Sequence, residues 1–234
     1  MSFFKALTGV ALCWAITLAT PVVAQTFVEQ QIAQCRNADG QVTPTVAISA
    51  CTALLQSAGL DNHSRSVLHS IRGLAYADLN DFARAIADYS EVIRLNPQDE
   101  DGFSGRGRVY SDQRDYTRAI ADYSEAIRLN PQDADVFFRR GDAIFHQGDY
   151  ARAILDFSEA IRLNPRSERA YVGRGVAIFH QGDYARAVVD FSEAIRLRPE
   201  YARVFTVRAA AYERLGDAAR ASADRAEAAR LQRQ

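Results

Sequence analysis

The chain has 234 residues, of which 24% are charged, and a formal net charge of −1. These values require no class beyond that of a soluble globular protein. With no excess of positive charge to displace phosphate counterions, nucleic acid is not an expected partner.

Residues 1–24 stand apart from the rest. Lys5 supplies a short positive start and residues 6–19 an apolar stretch; Thr20 to Ala24 then place Val22 and Ala24 where signal peptidase accepts small residues. The expectation is a signal peptide cleaved after Ala24, leaving Gln25 as the first residue of an exported protein, periplasmic or secreted, without integral membrane association. The alternative is a retained N-terminal anchor facing the periplasm. Residues 6–23 are barely long enough to span a bilayer, and Thr8, Gly9, Thr17, Thr20 and Pro21 make them a poor span. Cys13 follows Leu12, where a lipoprotein cysteine would need a small residue.

Cleavage leaves two cysteines, Cys35 and Cys51, in a compartment that permits a disulfide. The stretch 47–55 (AISACTALL) aligns with 85–93 (AIADYSEVI), so Cys51 occupies the place that later segments give to Tyr89, Tyr123, Phe157 and Phe191. Cys35 lies in a helical stretch, 27–37, ahead of a turn at Asp39 and Gly40. Residues 25–65 therefore read as an irregular helical hairpin whose helices are cross-linked where large aromatic side chains would otherwise pack. Closing such a loop stabilises by about 3 kcal/mol in the chain-entropy view. Two buried thiols are the alternative, and thiol titration of the unfolded, unreduced chain separates the two readings.

After a polar connection at 59–64, one unit recurs with a period of 34 residues. Segments 143–165 and 177–199 are identical at 20 of 23 positions. Pro97, Pro131, Pro165 and Pro199 fall in register, as do Arg72, Arg106, Arg140, Arg174 and Arg208. A fixed period of this size signals a stacked array of supersecondary units. The register divides the chain into 66–99, 100–133, 134–167 and 168–201, with a degenerate unit and capping helices over 202–234. Within 168–201, Tyr171, Gly175 and Ile178 recur at helical spacing ahead of a turn at Gly182 and Asp183. Ala187, Val188, Phe191, Ala194 and Ile195 then form the stripe of a second helix. Asp183 suits the N-cap of that second helix, and Pro199 ends it. Neither helix can bury its stripe alone, so the hairpins must stack.

The arrangement resembles the tetratricopeptide repeat. Phe137, Gly141, Ile144, Ala153, Phe157, Ala160 and Pro165 match its pattern of large, small and aromatic residues, as do Tyr171, Gly175, Ile178, Ala187, Phe191, Ala194 and Pro199. The unit beginning at residue 100 fits equally well. The first departs at His69 and Val92, and the last carries Arg225 where an aromatic belongs. The resemblance covers about residues 66–234. It implies an all-α, right-handed superhelical solenoid of antiparallel helix–turn–helix repeats. Two columns depart from the family: Arg72, Arg106, Arg140, Arg174 and Arg208, where Leu is usual, and Asp88, Asp122, Asp156, Asp190 and Asp224. We expect each arginine to pair with an aspartate of its own or the adjacent unit as a partly buried bidentate contact. The alternative is separately solvated charges.

No catalytic constellation emerges: there is no phosphate-binding glycine motif, no nucleophile elbow and no HExxH. His146 and His180 fall at the same place in adjacent units, with Asp142 and Asp112 as carboxylates within reach for a metal, but duplication of the unit explains the pair more simply. No cofactor, metal or enzymatic activity is expected.

The resemblance further implies a concave face lined by the first helices. Arg108 lies on it in one unit, and Asp135, Phe138, Arg139, Asp142, Phe145 and His146 in the next. Arg169, Val172, Gly173, Val176, Phe179 and His180 follow, then Arg203, Thr206, Val207, Glu213 and Arg214. The family's clamp for a C-terminal carboxylate uses Lys and Asn on this face; this chain has neither there. Phe138, Phe145, Val172, Val176 and Phe179 instead form an apolar strip flanked by Arg139 and Arg169, the pattern of a protein contact. The resulting expectation is a monomeric, non-catalytic scaffold that binds a protein or peptide on its concave face. A structural, self-assembling role without a groove ligand is the alternative; the polar helix at 218–234 speaks against end-to-end stacking.

Overall fold

The computed structural model describes Gln30, Ile32, Ala33, Cys35 and residues 42–233. The segment read as an export signal and most of the helical stretch 27–37 lie outside the described residues, although Gln30, Ile32, Ala33 and Cys35 are helical. The described chain forms eleven further helices: α1 (Pro44–Leu55), α2 (Asn62–Asp78), α3 (Phe82–Leu95), α4 (Glu100–Asp112), α5 (Tyr116–Leu129), α6 (Ala134–His146), α7 (Tyr150–Leu163), α8 (Glu168–His180), α9 (Tyr184–Leu197), α10 (Ala202–Arg214) and α11 (Ala218–Leu231).

Local chemistry sets the helix boundaries. Asp81, Asp115, Asp149, Asp183 and Asp217 cap the second helix of each hairpin, each accepting from the amide of an arginine three residues on. Each cap satisfies one of the amides that a helix start leaves without a partner. The turn before the cap needs a residue in the left-handed region, which Gly148, Gly182 and Gly216 enter freely while Asn80 and Arg114 do so against their side chains. Helix α2 departs from the periodic register. It starts at Asn62, where Asp61 accepts from the Ser64 amide, so the polar connection at 59–64 is shorter than the sequence suggested and the boundary at residue 66 falls inside the helix.

Stacking is strictly local. Each helix packs on its sequence neighbours, and beyond these only first helices meet: α2 with α4, α4 with α6, α6 with α8 and α8 with α10. Second helices do not meet one another, so among the described residues the first helices form the tighter, inner side of the curve. The core of each hairpin is an aromatic ring laid on a glycine. Tyr123, Phe157 and Phe191 are 1% exposed. A Cβ on the facing Gly107, Gly141 or Gly175 would come within 2.9, 3.1 or 2.7 Å of those rings. Where the ring is replaced by Arg225, the small residue has become Ala209.

The arginine and aspartate columns meet within each unit. Arg72, Arg106, Arg140, Arg174 and Arg208 each donate Nε and Nη2 to the two oxygens of Asp88, Asp122, Asp156, Asp190 and Asp224, at 2.7–2.9 Å. The pairs are largely buried, the aspartate side chains being 6–11% exposed. The sequence did not reveal a third bond. Nη1 of Arg106, Arg140, Arg174 and Arg208 reaches back to Ser90, Ser124, Ser158 and Ser192 of the preceding hairpin. Arg72 does the same to Thr52 on α1, across 20 residues instead of 16. In the first unit His69 stands where the others have an aromatic and its Nδ1 lies 2.8 Å from Asp88. Burial pushes the Asp88 carboxyl up, but hydrogen bonds from His69 and Arg72 outweigh it and hold the group below the usual carboxylate range.

Cys35 and Cys51 are disulfide-bonded and fully buried against Ala50, with Leu54, Leu68 and Ile71 packed around them. The bond closes a span of 16 residues, which corresponds to about 3 kcal/mol. Because each hairpin touches only its neighbours, reduction is expected to loosen α1 and α2 and leave α8 to α11 unchanged. Hydrogen exchange with and without reductant checks this; a uniform change along the array would refute it.

Candidate binding groove on the inner face

The inner face is not uniform along its length. Over α2 it exposes Val67 and Leu74 beside a hollow of about 250 Å³; toward α4 it turns polar, where Arg108 lies 4.0 Å from Asp78 and its Nε is buried without a hydrogen-bond partner. From α6 onward the face becomes apolar and encloses a hollow of about 450 Å³. Six of the ten expected groove residues line it: Phe138, Phe145, His146, Arg169, Val172 and Val176. Asp142, Gly173, Tyr201, Arg203, Val204 and Val207 complete the wall.

The other four lie elsewhere. Phe179 and His180 line an adjoining hollow of about 150 Å³, with Phe191 and Ala210; Val176 and Val207 form the wall common to both. Arg139 turns back onto Asp135, one turn earlier on α6, and lines neither hollow. Arg108, on α4, lines neither.

The hollow exists because of what sits at residue 173. Gly173 presents no side chain, and a Cβ there would stand 2.8 Å from the Phe157 ring, which also tilts against Phe138 at 5.7 Å. The core ring of one hairpin thus lies directly beneath the groove of the next.

The two histidines are each stacked on a tyrosine of the preceding hairpin. His146 lies on Tyr116 at 5.1 Å and His180 on Tyr150 at 4.9 Å. Arg214, next in the same column, covers Tyr184 at 4.6 Å. Phe145 packs edge-on against His180, and Phe179 against Tyr184. These rings make a continuous edge to the groove. Among the described residues no three His, Cys, Asp or Glu side chains gather in a metal-binding group.

Charge in the hollow is sparse. Burial pushes the Asp142 carboxyl up, against the pull of His146, Arg169 and Arg139. Its Oδ2 is 3.8 Å from His146 Nε2. Arg169 spreads over the Phe138 ring at 4.4 Å, with its nearest carboxylate, Asp135, 4.0 Å away. The groove residues missed by sequence reasoning are Tyr201 and Val204. Tyr201 sits in the loop before α10, outside any helical register, and Val204 is 1% exposed and belongs equally to the core.

The outer face carries Leu155 and Val189, 68% and 66% exposed, on α7 and α9. No helix among the described residues is long and apolar enough to cross a membrane.

Comparison with known proteins places the architecture. A Tetratricopeptide repeat model matches residues 104–168 and 147–202, and a TPR repeat model matches 73–113; together they span 73–202, more than half of the chain. A crystal structure of MamA is 24% identical, with a TM-score of 0.66, over 69% of this chain and 94% of that one. A tetratricopeptide repeat protein from Parabacteroides merdae is 20% identical, with a TM-score of 0.71, over 85% and 77%. YrrB, described as a TPR protein with an unusual peptide-binding site, is 19% identical, with a TM-score of 0.65, over 80% and 95%. At these identities the likeness is one of fold. No curated protein matches the chain.

Proposed function

Because this chain belongs to the tetratricopeptide-repeat family, an all-α solenoid of helical hairpins, we propose that it is a non-catalytic scaffold binding a segment of another protein in the hollow of α6, α8 and α10. The observation that carries this reading is the apolar hollow itself. Phe138, Val172, Val176 and Val207 meet there without a covering helix, on the face where successive first helices converge. A soluble array has no structural need of such a surface, and apolar hollows rimmed by charge are where partners anchor. Residues 1–24 direct export to the cell envelope, where the Cys35–Cys51 bond can form and persist.

Site-specific photocrosslinking tests the groove. A photoreactive residue at Val172 is expected to give protein adducts in the producing cells, and one at Leu155 on the outer face none. Adducts from Leu155 alone would move the binding surface to the outside. Export has its own check: alkaline phosphatase fused after Ala24 should be active, and inactivity would refute it.

A further inference from the structure

Resting on the binding reading above, we infer that the groove selects a segment carrying two apolar side chains close to an aspartate or glutamate. The arginines of this protein are partnered differently from place to place. On the outer helices they are matched to a carboxylate one turn away: Arg94 to Glu91, Arg128 to Glu125, Arg162 to Glu159 and Arg196 to Glu193, each at 2.6 Å. On the inner side the column at Arg72 to Arg208 is locked to buried aspartates. The two arginines that line the hollow lack such a match among the described residues, as Arg65, Arg114 and Arg166 do away from it. Arg169 approaches Asp135 only to 4.0 Å. Arg203 is exposed, lines the hollow, and has no carboxylate, hydrogen bond or ring partner among the described residues. In a chain whose net charge is −1, positive charge left over at the groove is a local excess.

The one carboxylate in the wall, Asp142, does not cancel that excess. It lies beside His146, and burial disfavours its charged form. A ligand carboxylate is therefore drawn to the Arg203 side. The apolar requirement follows from the two hollows. The larger accepts a bulky side chain over Phe138 and Val172; the smaller, reached past Val176 and Val207, accepts a second apolar group against Phe179. The carboxylate is a side chain, since the residues that clamp a C-terminal carboxylate in this family are absent from the face.

The test is peptide selection from a phage-displayed random library, in which the peptide C-terminus is not free. The disulfide-bonded protein is compared with Arg203→Glu, Arg203→Gln and Val176→Asp variants whose folding is checked by circular dichroism. The parent should enrich peptides with Asp or Glu beside paired apolar residues. Arg203→Glu should keep the apolar pattern and exchange the acidic residue for Lys or Arg, and Arg203→Gln should lose the charge preference alone. A fluorescein-labelled peptide selected on the parent should bind Arg203→Glu about tenfold more weakly, a reversal at an exposed site costing more than the loss of one surface pair, and its parent affinity should fall with added salt. An unchanged acidic preference in Arg203→Glu, or charge-indifferent peptides on the parent, would overturn the inference while leaving the groove reading intact. If Val176→Asp selected the same peptides as the parent, the groove reading would fail, and no enrichment on the parent would overturn both.

Discussion

Asp156→Ala should lower the stability of the chain by about 3 kcal/mol, the low end of what removing one member of a buried ion pair costs, because Arg140 would remain in place with its counter-charge gone. Arg140 is 21% and Asp156 10% exposed, so little water is available to take over. Nε and Nη2 would lose bonds of 2.7 and 2.8 Å, leaving only the 3.1 Å contact to Ser124. Ser124 itself stays satisfied, since it donates to the Ile120 carbonyl. The informative control is the double variant Arg140→Met/Asp156→Leu. With both charges replaced by apolar groups the penalty should shrink to about 1 kcal/mol or less. Urea denaturation followed by circular dichroism gives the complete cycle. Should Asp156→Ala cost no more than a surface pair, the two charges are solvated independently and the columns are not structural.

Phe157→Ala is expected to be more damaging, at about 4 kcal/mol, the usual range for deleting a fully buried phenylalanine. The ring lies against glycines on two hairpins, where an added Cβ would stand 3.1 Å away at Gly141 and 2.8 Å away at Gly173. Its loss therefore opens a void inside one unit and at its junction with the next. The reverse insult, Gly173→Ala, should cost about 1–3 kcal/mol by overpacking. Combining the two should be less damaging than their sum, because the added methyl then enters space that the ring has vacated. Strict additivity in the melting or denaturant data would mean that Gly173 and Phe157 do not share a contact. Phe157→Ala should also weaken ligand binding, since that ring supports the hollow from below.

Almost all of the fold was legible, and the reason is repetition: Phe157 and Phe191, or Gly141 and Gly175, report the same environment more than once, so accidental matches average out. The site was half legible. Register alone puts Phe138, Val172 and Val176 on the inner face, because a helix of known phase fixes where its side chains point. It does not say whether a long side chain folds back, as Arg139 does onto Asp135. Nor does it reach loop residues such as Tyr201. The serine contacts of the arginine column were hidden for another reason. The partner lies on the preceding hairpin, so although the interval is a constant 16 residues at the four serines, the pairing depends on how one unit docks on the next and not on the phase of a single helix.

Those serine contacts give the array a polarity. Each unit from 66 to 201 presents a guanidinium plug toward its predecessor and a hydroxyl socket toward its successor, so units can be joined head to tail in one sense only. Helix α11 breaks the rule: Ala226 stands where Ser192 stands in α9, and Arg225 replaces the ring of Phe191. A further unit docking in the same manner would find neither a hydroxyl to receive its arginine nor an aromatic ring to seat against. Two side chains thus act as a stopper. Arg225→Phe and Ala226→Ser would restore the seat and the socket found on α9.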